Sequence, residues 1–510
     1  MNAETFLADD SLYYYSHRWW IVVTIMMVAI LEILDSTIVN VALPSMMSSL
    51  GADQNQITWV LTSYVVASAI ILPLTGFIAN RIGQKHLLMM NITGFMVSSF
   101  LCGLAQSLPE MVLFRIFQGM CGASLIPLSQ AILRKTFPLE QQGKAMAIWG
   151  MGIMVAPICG PTLGGLITEH TSWRWIFYIN IPFCIIGLFL TLWVIPQSQK
   201  IIQKIDWLGL AAMVLGITTL QLFLDKGNEN GWFDSNFILT LLLISALSLS
   251  YFVFRSLTQD RPAVKLKLYK DRNFALSCAI LMLYCGITFG TITLQPLMLE
   301  TLFHYPAITA GLTMAPLGIA SACSMSIVSQ LMTRINVKLI LATCVLISAY
   351  GAFRLSSITL NNTMGNFLWD NAILGLGMGG FMVPLATYSL ASIPKLDITE
   401  ASGLFSYSRM LGTSLGISLL STLVTRVAQV NWHNLGGHIT TFSAPLHSWL
   451  ASQQLDLHNP IAIGRLDYLL QQQANFIGFL DGYKTIAMGF LILIPLICTL
   501  KTIPLKPGKE

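Results

Sequence analysis

Two carboxylates, Glu32 and Asp35, lie inside the first long apolar run of the chain, in "MMVAILEILDSTIV". A charge at mid-bilayer costs roughly 2.5–3.5 kcal/mol on insertion scales, so such residues face a protein interior or a water-filled cavity. At positions i and i+3 the two acids sit one helical turn apart. Burial and mutual repulsion favour the protonated form of such a pair. The pair can therefore load and release a proton, or offer negative charge to a cation. The competing reading is a buried acid that pairs with an arginine and locks the fold.

Arg115 and Arg409 fall in later apolar runs. Each is a candidate partner for the acids or for an anionic substrate, and each could equally tie helices together through backbone carbonyls. Asp225, Glu300 and Asp370 stand near the ends of runs and are expected at the interface. Tyr64, Gln118, Tyr284, Gln295, Phe381 and Tyr407 could line a pocket together with Arg409, against the plainer alternative of core packing. Met378 and Met382 would suit an adaptable pocket wall.

Other chemistry finds little support. The nine cysteines are an odd number, lie in or beside apolar runs and include no CxxC pair, so free buried thiols are expected. His433, His438, His447 and His458 are irregularly spaced, and no metal site is expected. No G-x-x-x-x-G-K-[ST] loop binds nucleotide. No nucleophile-and-base motif suggests catalysis, so no catalytic residue and no cofactor are expected.

The elements that must hold these residues follow from composition. Of 510 residues, 55% are hydrophobic and 10% charged, against roughly 25% charged in soluble domains. The apolar residues form long runs without strand alternation, which makes spanning helices rather than a barrel. Fourteen helices are expected, at about 19–43, 57–79, 87–106, 110–133, 144–168, 174–195, 206–225, 236–255, 273–298, 307–331, 337–357, 366–391, 400–426 and 482–501. The start of the chain, with its acidic and aromatic residues, does not read as a cleaved signal peptide. Placing the N-terminus in the cytoplasm puts 20 of the 28 basic residues on the cytoplasmic side and six outside. That bias predicts both termini in the cytoplasm. The net charge of +5 sits in short loops and is no signal for nucleic acid.

Span five carries "GIMVAPICGPTLGG", with Gly152, Gly160, Pro161, Gly164 and Gly165. Small residues permit close helix approach and prolines permit a kink. "GPTLGG" resembles the antiporter motif of major facilitator drug exporters. "LDSTIVNVALP" is similar to the first-span signature of their fourteen-span drug:proton antiporter branch. "GFIANRIGQK", "RIFQG", "SWRWIFYINIP" and "SGLFSYSRMLGTSLG" match further motifs of that branch in order. The chain is similar to the EmrB type in its long outer loop.

The resemblance implies an all-α major facilitator fold of two six-helix bundles, residues 19–195 and 273–501. A cytoplasmic tail, 1–18, precedes them. Two inserted helices and a linker, 196–272, join them, a long outer loop spans 427–481, and a tail spans 502–510. It implies a multi-pass protein of the bacterial inner membrane that exchanges protons for amphiphilic compounds without a cofactor. Asp35 would couple protons and recognise cations, with Arg115 in proton transfer. Gly76, Asn80, Arg81, Gly83 and Lys85 would form a conformational loop, in which Asn80 replaces the family's aspartate and puts a charge-based latch in doubt. The outer loop would dock a periplasmic adaptor and, through it, an outer-membrane channel. The alternative readings are a proton symporter or uniporter for a nutrient, or an exporter of one metabolite or siderophore.

Overall fold

The computed structural model describes residues 3–197, 206–259, 262–332, 334–394, 397–440, 443–453 and 460–501. These residues are helical or in turns, with no strand among them. Fourteen helices form the frame. The first six are α1 (Ala3–Leu50), α2 (Trp59–Ile82, with a 3-10 turn at Leu72–Leu74), α3 (Gln84–Leu104), α4 (Leu108–Thr136), α5 (Leu139–His170) and α6 (Trp175–Val194). Then follow α7 (Trp207–Lys226) and α8 (Asn236–Thr258). The last six are α9 (Arg272–Thr301), α10 (Ala307–Leu331), α11 (Val337–Leu355), α12 (Met364–Ser389), α13 (Ile398–Gly437) and α14 (Pro460–Cys498). Thirteen of them meet length and hydropathy limits for crossing a membrane. The remaining one, α5, is 32 residues long and falls where the fifth span is expected.

Polar residues set the helix ends. Asp206, Asp271 and Asn336 each accept a backbone N–H of the first turn of α7, α9 and α11, replacing bonds the helix cannot make for itself. Gly83 separates α2 from α3 at φ 95°, a conformation that glycine adopts without a Cβ clash. Asp53 caps the turn between α1 and α2 at the opposite end. Gly83 and Asp53 thus mark the two ends of the bundle.

Helices α1–α6 pack as one half and α9–α14 as the other. The halves meet through α2 and α4 against α13, and through α5 against α10 and α12. These contacts gather at the Gly83 end. A Cβ on Gly76 would lie 2.3 Å from the Cα of Glu400, and one on Gly403 would lie 2.7 Å from the carbonyl of Leu72. Gly143 and Gly150 of α5 face Met332 and Met325.

The inserted pair is joined to itself by Arg255, whose Nε lies 2.7 Å from Asp206. Its first helix, α7, packs against both α2 and α13. Helix α8 leaves Leu243, Leu247 and Phe254 exposed, as a lipid-facing surface would.

The segment 427–481 differs from the loop expected. Helix α13 continues to Gly437, a short helix covers Ala444–Ser452, and α14 starts at Pro460. The two extensions pack together: a Cβ on Gly478 would lie 3.4 Å from the backbone N of Ala428, and Trp432 donates to Asp467 at 3.2 Å. Polar composition hid these helices because they run past the apolar spans while keeping one packed stripe. His458 lies outside the described residues.

Candidate functional site

Asp35 and Glu32 share a helix but not a site. Asp35 is fully buried within the first half. Its Oδ2 accepts Arg115 Nη1 at 2.7 Å, and its Oδ1 accepts Gln118 Nε2 at 2.9 Å and Asn180 Nδ2 at 2.8 Å. Arg115 also donates to Gln118 Oε1 at 2.7 Å and to the carbonyl of Val60 at 3.1 Å. Ser99 accepts a bond from Gln118 at 2.8 Å. One carboxylate thereby ties α1, α3, α4 and α6, with α2 attached through Val60. A buried ion pair is tolerated only when its remaining lone pairs and protons are satisfied in this way.

Tyr64 closes this network on one side. The Arg115 guanidinium lies 4.2 Å from the centre of its ring, a cation–π distance. Tyr64 also lines a cavity of about 480 Å³. Glu32, Leu72 and Arg409 line the cavity near mid-helix, and Thr58, Glu229 and Ser421 line it toward the Asp53 end. Closed by the contacts at the Gly83 end, the cavity opens toward the Asp53 end, where the side chain of Glu229 is 40% exposed. Glu32 and Arg409 interact electrostatically across it, yet no ion pair forms between them within 4 Å among the described residues. The Oε2 atom of Glu32 is buried with no hydrogen-bond partner.

The other expected lining residues divide. Tyr284 lines a separate, smaller cavity of about 110 Å³ within the second half, beside Phe289, Met314, Met378 and Met382. Phe289 borders both cavities. Phe381 stacks on Tyr284 at 4.0 Å and is fully buried. Gln118 belongs to the Asp35 network, Gln295 is fully buried, and Tyr407 packs against the core; none of these lines the main cavity. They pack among neighbouring side chains instead, which residue type does not reveal.

One participant carries no expectation from sequence, and another has a role beyond the one expected. Asn180, inside "FYINIP", is an amide in an apolar run, and that was the available signal. Asp225 is expected at the interface, and it also lines the cavity from α7. Asp370, by contrast, pairs with Arg354 at 2.8 Å.

In α5, a Cβ on Gly160 would lie 2.3 Å from Thr37 Oγ1, and one on Gly164 would lie 2.9 Å from the carbonyl of Ile38. Gly152 is similarly tight against Met26, whereas a Cβ on Gly165 meets only Val41 at 3.9 Å. The motif therefore seats α5 on α1 over the turn that follows Asp35. The side chain of Pro161 lies outside the described residues.

At the Gly83 end, Asn80 donates to Glu400 Oε1 at 2.8 Å and Gln84 donates to Thr399 Oγ1. Lys265, from the linker before α9, reaches Asp397 at 2.8 Å and Glu400 at 3.1 Å. Burial opposes the charge of Lys265, but its bonds to Asp397 and Glu400 outweigh that and raise its pKa above the usual lysine value. Lys85 donates to the carbonyl of Leu192 at 2.8 Å, holding α3 to α6. The amide Asn80 thus makes a hydrogen bond across the halves, and the cation on Glu400 comes from the linker. Arg81 is the last-turn basic residue of α2.

Two packed helical halves around a central cavity, with a buried ion pair in one of them, define a membrane transporter. Residues 25–417 match the model of the Major Facilitator Superfamily. The chain belongs to that family and is a multi-pass transporter, not an enzyme. It is 35% identical over 481 residues to the fatty acid resistance protein FarB of Neisseria gonorrhoeae, covering 94% of this chain and 95% of that protein. It is 36% identical to the multidrug export protein EmrB of Haemophilus influenzae, covering 91% of this chain and 92% of that one. The proton:xylose symporter XylE superposes with a TM-score of 0.61 at 14% identity, covering 96% of both chains, which extends the likeness of fold alone.

Proposed function

We propose that the chain exports small amphiphilic compounds in exchange for protons, by alternating access of its two halves. The observation that carries this reading is the placement of two acids on one helix, Glu32 in the cavity and Asp35 behind Tyr64 in a closed network with Arg115. The names of the relatives, a fatty acid resistance protein and multidrug exporters, agree with it. Cargo enters the cavity when it faces the cytoplasm and competes with a proton for Glu32. A proton reaching Asp35 removes the charge that holds Arg115, Gln118 and Asn180 and loosens the seams of α1 with α4 and α6. Proton and cargo each weaken the other's binding, as reciprocal coupling requires. The halves then rock about the cavity, breaking the contacts of Asn80 and Gln84 with α13. The gradient supplies the energy, with no bound cofactor.

With both termini in the cytoplasm, the Asp53 end and the α13–α14 extension face the periplasm of an inner-membrane protein. That extension is the surface we assign to a periplasmic adaptor linked to an outer-membrane channel. Deleting the tip between α13 and α14 should reduce co-purification of such an adaptor, and unchanged recovery would count against the assignment.

The deciding experiment is proton release from the purified protein on adding cationic, anionic and neutral amphiphiles. Antiport predicts release with cargo from wild type, and less release from Glu32→Gln and from Asp35→Asn. Full proton-linked flux in Asp35→Asn would sink the mechanism.

A further inference from the structure

We propose that Asp225, on the first inserted helix, is a second cation-binding residue of the transport cavity. Glu32 and Asp225 together would then receive cargo with two cationic centres. This rests on the reading that the cavity carries cargo.

Helix α7 is a wall of the cavity rather than a lipid-side appendage. Lys226 Nζ donates to Thr58, the residue that opens α2, at 2.7 Å. On the other side, Gln221 Nε2 donates to Ser414 at 2.8 Å and Ser418 donates to the carbonyl of Leu224 at 2.6 Å. Farther along, Trp232 Nε1 donates to Thr422 at 2.9 Å. The insertion thereby spans the crevice between α2 and α13 and turns its last turn inward.

The charges in the cavity do not cancel. Glu229 is paired with Lys226 at 2.8 Å. Asp225 accepts from Gln221 Nε2 at 3.1 Å and from Thr62, both neutral donors, and among the described residues no cationic nitrogen lies within 4 Å of it. Glu32 likewise has no ion pair within that distance, and its Oε2 is buried without a hydrogen-bond partner. Arg409 acts electrostatically on Glu32, while the cation acting on Asp225 is Lys226, whose ammonium is already bonded to Glu229 and Thr58. A carboxylate held in a partly dry cavity by neutral donors is completed by a cation from outside. The two acids reach the cavity from different helices, α1 and α7, so they offer two separated points of attachment.

The test uses the purified full chain and two probe series: alkyltrimethylammonium ions, and bis-trimethylammonium alkanes of graded spacing. Wild type should bind the best-spaced dication about tenfold tighter than the monocation of equal length, as a second charge contact in a partly shielded site provides. Asp225→Asn should abolish that advantage while monocation affinity changes by less than about threefold; Asp225→Glu should retain it, with unchanged thermal unfolding. Wild type without a dication preference at any spacing would overturn the proposal, as would Asp225→Asn keeping the preference or losing both probe classes equally. If monocations bind and depend on Glu32 while Asp225→Asn has no effect, this proposal fails and the export reading stands. If no cation binds at all, this proposal fails, and the export reading is decided separately by proton release with anionic and neutral amphiphiles.

Discussion

At the scale of single residues, the first span separates two tasks that its sequence places side by side. Three residues turn a helix by about 300°, so side chains at i and i+3 diverge by roughly 60°. That divergence is enough to put Glu32 on the cavity side of Tyr64 and Asp35 on the bundle side. Their consequences on substitution should therefore differ. Arg115→Ala leaves Asp35 buried without its cation and should destabilise the fold by about 3–5 kcal/mol, seen as a lower unfolding temperature. Pairing it with Asp35→Asn should recover part of that loss. Glu32→Gln should unfold like wild type yet bind cationic cargo at least about tenfold more weakly. An unfolding temperature for Glu32→Gln as low as for Arg115→Ala would show that Glu32 is structural.

At the scale of elements, the turn between α2 and α3 shows how one departure is accommodated. An amide at position 80 donates to Glu400, and Lys265 supplies the positive charge. Asn80→Asp places a second carboxylate against Glu400 and should weaken closure at the Gly83 end. The expected result is several-fold slower cross-linking of cysteines placed at Gln84 and Thr399 in a cysteine-free background. The raised pKa of Lys265 gives a pH expectation. Its contribution is fully present below the ordinary lysine value and is lost as pH rises through the raised one. The ratio of cross-linking rates between wild type and Lys265→Met, in which the ionisation of the thiols cancels, should thus stay constant from about pH 7 to pH 9 and approach one only in strong alkali. Packing between α9 and α13 is equally specific: a Cβ on Gly416 would lie 2.2 Å from the Cα of Gly286. Gly416→Val should abolish recovery of folded protein, whereas Gly437→Ala, with nothing within 4 Å, should be neutral.

At the scale of the whole molecule, the halves touch at the Gly83 end and part toward the Asp53 end, with α7 bonded to both. Alternating access requires that relation to reverse, so α7 cannot keep its bonds to α2 and α13 unchanged through the cycle. A disulfide between cysteines placed at Gln221 and Ser414, which now share a bond of 2.8 Å, should stop cargo-induced proton release. Reductant should restore it. Continued release in the oxidised protein would mean that α7 and α13 move together.

The sequence determined what local composition and period can carry. Long apolar runs required spanning helices, because backbone groups in lipid must be paired within each segment. The acids inside the first run announced a cavity or a buried pair, because a lone charge there is too costly. Motif order carried the family across nearly the whole chain. Only the tertiary structure decided which acid faces the cavity, since a rotation of some 60° is settled by the packing of α1 against α4, α5 and α6. It also decided that Asp225 belongs to the cavity, because the position of an inserted helix depends on bonds to Thr58, Ser414 and Thr422, far away in sequence. The polar segment beyond α13 read as a loop for a related reason. Its helices are fixed by their contact with each other, and a one-dimensional hydropathy pattern does not contain that contact.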